Sequence, residues 1–165
     1  MKTIIIITVL TLTAIAGIAR VSSLFPGWSQ LESESSDIGV AVARGPSTPV
    51  PGEYIENATR SDSEITILSV LKGTNGAVAT RLQTDHELKR GEAYLIFGSI
   101  DNGTYKAYED YRVIPLGAKF RKEMIDGKPL HEQIQTLLRR AVENLNEEMA
   151  RNQSEKNRIE AGLIR

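Results

Sequence analysis

Apolar and polar positions alternate along the middle of the chain and change to a spacing of three and four in its last third. Over 37–44, Ile38, Val40 and Val42 share one face, and Gly39, Ala41 and Ala43 share the other. This predicts a strand with a bulky face and a small-residue face, suited to the inside of a tight barrel or to a place beneath a packed helix. Over 64–71, Ile65 and Ile67 have one parity, Leu68 and Val70 the other. A parity switch predicts a β-bulge or a strand buried on both sides, and bent, bulged strands are how small barrels turn corners. Lys72-Gly73 and Asn75-Gly76 predict a tight turn into a third strand over 77–82. The run 93–100 is too short for a core helix and rich in Tyr, Ile and Phe, so it predicts a central strand. Asp101-Asn102-Gly103 then predicts a hairpin, because Asn-Gly tolerates the positive φ such turns require. Strands over 105–108 and 111–116 follow, interrupted at Glu109-Asp110.

The flanking segments read differently. Residues 20–36 form a bridge broken at Pro26-Gly27, either a solvated lead-in or a short helical turn at 29–33. Residues 45–52 carry Pro46, Pro49 and Pro51 and predict a long surface loop, with edge pairing resuming over 54–58. Near the C-terminus, Asp126-Gly127-Lys128-Pro129 predicts a helix start with Pro at the first helical position. Leu130, Ile134, Leu137, Leu138, Ala141, Val142, Leu145 and Met149 then mark one helical stripe, expected to pack on the barrel. Beyond Ala150 the pattern is polar all round and fraying is expected. The chain thus divides into an N-terminal segment (1–19), a linker (20–36), a β-barrel (37–117), a C-terminal helical segment (118–152) and a polar tail (153–165).

The N-terminal segment changes the expected address. Lys2 precedes an apolar run, and Ala14-Ile15-Ala16 and Gly17-Ile18-Ala19 offer small residues at the spacing a signal peptidase reads. An uncleaved anchor is the competing reading, supported by Leu24, Phe25 and Trp28 at an interface. The run stops at Arg20, slightly short of the roughly 20 residues a span needs, which favours cleavage. Either way the remainder is expected outside the cytoplasm, in contact with a membrane only if the segment stays attached. The 165 residues contain no cysteine, which excludes disulfides, thiolate metal sites and a Cys nucleophile. Lys+Arg 20 against Asp+Glu 21 gives a net charge of -1, so nothing favours nucleic acid as a partner.

The succession S-D-I-G-V-A-V-A, I-T-I-L-S-V-L-K-G and L-K-R-G-E-A-Y-L-I-F resembles bacterial exported domains related to the tissue inhibitors of metalloproteinases and the netrin modules. The likeness covers about 37–116. It implies a mainly β fold with a C-terminal helix: a five-stranded, OB-like Greek-key barrel carrying an amphipathic helix, and a protein-binding role. In the animal inhibitors an N-terminal Cys chelates the protease zinc through its amine and carbonyl. With no Cys, this chain cannot carry that inhibitory wedge at any residue.

Candidate chemistry is sparse. Asp85-His86-Glu87 lies in a polar stretch without a second His nearby, and His131 is expected at the helix surface. No phosphate-cradling, nucleophile-elbow or zinc-helix motif occurs, so neither catalytic residues nor a metal or other cofactor is expected. Tyr94 and Phe97 are expected in the core. Tyr105 and Tyr111, with Lys106 and Arg112, are expected to form an exposed patch, and the candidate binding residues are Arg44, Tyr54, Tyr105 and Arg112. Asn57-Ala-Thr, Asn102-Gly-Thr and Asn152-Gln-Ser match the glycosylation pattern, which matters only in a eukaryotic secretory pathway. Three functional readings follow. The first is a non-enzymatic, monomeric accessory module that binds an extracytoplasmic protein through barrel loops such as 44–59. The second is a metal-dependent hydrolase using Asp85, His86 and a hairpin carboxylate. The third is self-association through the stripe over 130–149.

Overall fold

The structure, a computed structural model, describes residues 27–55, 58–74, 78–109 and 111–160, with backbone pairing alone for 51–55, 58 and 59. The N-terminal segment 1–19, residues 20–26 of the linker, Asn57 of its sequon and the expected Asn75-Gly76 turn lie outside the described residues. A short helix α1 (Trp28–Glu34) leads into strands β1 (Asp37–Ala43), β2 (Thr48–Ile55), β3 (Ala58–Lys72), β4 (Arg81–Thr84), β5 (Ala93–Asp101), β6 (Thr104–Ala107) and β7 (Val113–Gly117). A 3-10 turn (Lys122–Met124) precedes the long helix α2 (Leu130–Glu160). Five strands close a barrel in the order β1-β3-β4-β6-β5, with β5 returning to β1. All these pairings are antiparallel except β4–β6. This is the OB-like Greek-key barrel expected from the sequence. Two further strands extend it, β2 along β3 and β7 along β5.

The two-faced pattern of β1 has a direct counterpart in packing. Ile38 and Val40 join Leu95, Phe97, Leu116, Ile134, Leu137 and Leu138 in a core between the barrel wall and α2. Ala41 and Ala43 turn instead into the barrel lumen, filled by Leu82, Tyr94, Ile96 and Tyr105. Small residues inside and large residues outside let one strand serve two cores, because the lumen is already occupied by tyrosines from β5 and β6. The expected bulge is present on β3. Its register against β1 slips between Val40 and Ala41, leaving Leu68 as the extra residue, and again between Ile38 and Gly39, leaving Leu71. Ile65 and Ile67 accordingly serve the lumen, whereas Leu68 and Leu71 pack towards α2.

Three expectations are corrected, and the helical reading of the linker is the one that holds. The proline-rich stretch is not a loop throughout: Thr48 pairs with Asp62 and Pro49 with Ser61, and the register breaks before Tyr54. Proline is tolerated there because β2 lies on a sheet edge, where a missing N–H breaks no ladder on its open side. The third barrel strand begins at Arg81 rather than 77 and runs to Thr84. Residues 28–34 form a helix whose Leu31 is buried, and Trp28 packs on the same core with its ring 4.7 Å from that of His131. The long helix does not stop near 152 but continues to Glu160, its residues 150–160 exposed along their whole length. Helix-favouring residues and pairs such as Gln153–Asn157 and Lys156–Glu160 sustain it without a barrel beneath.

Candidate functional site

β6 and β7 both run along β5 but are separated by the connection 108–112, and this interruption builds the site. The Arg112 N–H donates to the Glu109 carbonyl (3.1 Å), and the Arg112 carbonyl accepts the Phe97 N–H (2.8 Å). The turn so formed forces Glu109 to φ 83, a left-handed conformation that few non-glycine residues adopt. Its backbone N–H is held by an Asp85 carboxylate oxygen at 3.0 Å, and its side chain accepts from the Tyr111 hydroxyl and from Arg112 Nε at 3.0 Å. On the opposite wall α1 ends at Ser35, whose N–H donates to the Leu31 carbonyl. Ser36 then donates to the buried Asp37 carboxylate at 2.8 Å, and Asp37 accepts the Ile100 N–H at 3.2 Å. These bonds pin the start of β1 to the far end of β5.

Between the two walls lies an open cleft of about 340 Å³ lined by Ser35, Ser36, Ser99, Tyr108, Glu109 and Arg112, with Glu34 and Lys106 at its rim. The Arg112 guanidinium is mostly covered, reaching Glu34 at 3.6 Å as well as Glu109. The Tyr111 hydroxyl and then Arg112 hold the Glu109 carboxyl below its ordinary range. Arg60 stacks on the Tyr108 ring at 4.0 Å, and the Tyr108 hydroxyl donates to Gln83 at 3.0 Å, which orients the ring at the cleft. The Ser35 hydroxyl is buried and has no hydrogen-bond partner among the described residues. Chemically the cleft offers a clamped guanidinium, several hydroxyls and an aromatic face, which suits recognition of polar groups.

Of the four candidate residues, Arg112 alone belongs to this cleft. Tyr105 is corrected from exposed patch to core: its side chain points into the lumen and is fully buried. The lumen-facing parity on β6 falls on Tyr105 and Ala107, whereas Thr104 and Lys106 turn outward, and the short strand gave too few positions to fix that phase. Arg44 is exposed at the other end of β1, donating through Nε to Thr66 at 2.6 Å. Since Arg112 sits beside Phe97, the partner of Ile38, the two arginines are separated by nearly the whole of β1, about 20 Å. Tyr54, on β2, pairs through its backbone with Thr59 of β3. Tyr94 and Phe97 are in the core as expected. Asp85 faces Arg60 at 4.0 Å and holds the Glu109 N–H, so its carboxylate braces two connections. Among the described residues no three His, Asp or Glu side chains converge as metal ligands. Ser35 and Glu34 escaped the sequence reading, which considered Glu109 only as a solvated carboxylate beside the hairpin. The one available signal was the Glu109-Asp110 interruption between two strand-like runs.

The chain is a closed OB-type barrel with an open polar cleft at the β6–β7 interruption. No protein-family model and no curated protein matches the chain.

Proposed function

We propose that this chain is an exported, non-enzymatic accessory protein that binds a polypeptide partner through the Arg112 cleft. The observation that carries the reading is the strained Glu109, over-determined by Asp85, Tyr111 and Arg112 beside an open polar cleft. Backbone strain persists where surrounding contacts fix it, and it gathers at ligand clamps. The apolar N-terminal run supports the exported address, and the resemblance to inhibitor and netrin-like domains supports protein binding, without the cysteine-dependent wedge. A hydrolase built on Asp85 and His86 is disfavoured because the Asp85 carboxylate is engaged in bracing the cleft. Self-association through 130–149 is disfavoured because Ile134, Leu137, Leu138 and Ala141 are spent on the barrel.

The test is cross-linking of the full chain in cells of its source, with partner identification from the envelope fraction. Comparison is made with Arg112→Ala and with Arg44→Ala. A partner lost with Arg112→Ala and retained with Arg44→Ala supports the cleft. Equal recovery with both variants, or a chain found in the cytoplasm, overturns the proposal.

A further inference from the structure

A second cleft shares no lining residue with the first. It measures about 380 Å³ and is formed by the β4–β5 connection, β5, β7 and the helix α2. Its floor is apolar, with Val113, Ile114 and Pro115 from β7. Two tyrosines flank it. Tyr94 is buried and fixed, accepting the Lys89 N–H at 2.7 Å and donating to Glu92 at 3.4 Å. Tyr111 is half exposed, its hydroxyl held by Glu109. The lining carries three carboxylates, Glu87, Glu92 and Glu148, beside His86 and a single ammonium, and the Arg112 guanidinium lies 5.9 Å from the centre of the Tyr111 ring.

Lys89 reaches across the mouth to place Nζ 3.0 Å from a Glu148 carboxylate oxygen, tying the connection to α2. Its side chain is 67% exposed, so the contact is screened by water and easily exchanged. The protein's own alkylammonium therefore marks a position that a second cation can take. We propose that this cleft receives an organic cation, an alkylammonium or guanidinium on an aliphatic stem, with the charge exchanging for Lys89 at Glu148. The stem lies over the β7 floor between the tyrosines. Aromatic faces attract such cations, and an apolar floor accepts the methylenes that a small inorganic cation lacks. A basic side chain of a polypeptide and a free polyamine share this chemistry. The proposal does not rest on the reading of the Arg112 cleft, but Tyr111 also holds Glu109 there, so Glu148→Gln and Lys89→Met are the variants that report on this cleft alone.

Titration of the full chain, followed by amide chemical shifts, uses arginine amide, a Lys-containing tripeptide with blocked ends, spermidine and, as the anionic control, succinate. Saturable shifts at Tyr94, Tyr111 and Glu148 are expected with the cations and none with succinate. Preference for the tripeptide assigns a polypeptide source, and preference for spermidine a polyamine. Glu148→Gln and Tyr111→Ala each weaken binding about three-fold, as expected for one exposed charge or cation–π contact. Lys89→Met, which removes the internal competitor, tightens it by about the same factor. Circular dichroism verifies that each variant is folded. Absence of saturable shifts, equal binding of succinate, or weaker binding by Lys89→Met overturns the proposal.

Discussion

Removing one oxygen from the centre of the barrel should make it more stable. The Tyr105 hydroxyl is buried in the lumen and has no hydrogen-bond partner among the described residues, and burial beside Asp37 holds the phenol above its ordinary pKa. A buried hydroxyl without a partner costs about 1–3 kcal/mol. Deleting a single oxygen leaves a void of about 15 Å³, which at about 24 cal/mol per Å³ returns only about 0.4 kcal/mol of that gain. Tyr105→Phe is therefore expected to stabilise the fold by about 1 kcal/mol, a rise in Tm of about 4 °C. The same oxygen explains why β1 carries glycine at position 39. A Cβ there would lie 2.8 Å from the hydroxyl and 3.2 Å from the Ser69 carbonyl, and without the hydroxyl the nearest ring atom would be at 3.6 Å. Gly39→Ala should cost about 1–3 kcal/mol in the native chain and at least 1 kcal/mol less in the Tyr105→Phe background. Equilibrium urea unfolding can follow both, because the single tryptophan, Trp28, packs on the core and reports its loss. Destabilisation by Tyr105→Phe of 1 kcal/mol or more, or an equal cost of Gly39→Ala in both backgrounds, would refute the reasoning.

Two further outcomes follow from the helix and from the second buried tyrosine. Leu138→Ala, at a fully buried position between α2 and the barrel, should cost about 2–5 kcal/mol, whereas Met149→Ala, 61% exposed on the same stripe, should stay within about 0.5 kcal/mol in the same unfolding assay. Burial pushes the Tyr94 phenol up to about 12 from 10.0, so its contribution to stability is fully present below pH 10 and is lost as pH rises through about 12. Phenolate absorbance of the folded chain should keep a component that ionises only above the ordinary tyrosine range, and complete ionisation within that range while the fold persists would contradict the burial of Tyr94 and Tyr105.

Much of the barrel was legible because its physics is local. Alternation along β1 and the parity switch at Ile67–Leu68 state which side chains face which core, and the Asn102 and Gly103 positions adopt the positive φ that their residue types favour. What stayed hidden depends on neighbours far along the chain. Proline argues for a loop until one knows that β2 sits on an edge. A four-residue strand such as β6 does not fix its own phase, so Tyr105 was placed outside when β4 and β5 hold it within. Candidate-site residues were legible only as far as Arg112. Its partners Glu109, Glu34 and Ser35 come from separate segments joined by the barrel's closure, and no spacing rule connects α1 to the connection after β6.

That closure has a consequence for how the chain reaches its fold. β5 is bonded to β1, β6 and β7, and its contact with β1 brings Ile38 to Phe97 from well apart in the sequence. A chain assembled only as far as β4 has no ring, only a bent ladder with one edge of β1 bare and both of its faces uncovered. The entropy of closing the long intervening loop is spent before these contacts repay it, and β5, once in place beside β1, is the strand on which β6 closes the ring to β4 and against which β7 and α2 then pack. The barrel therefore has little to gain from partial assembly: β5 acts as its keystone, and the structure forms and comes apart around that one strand.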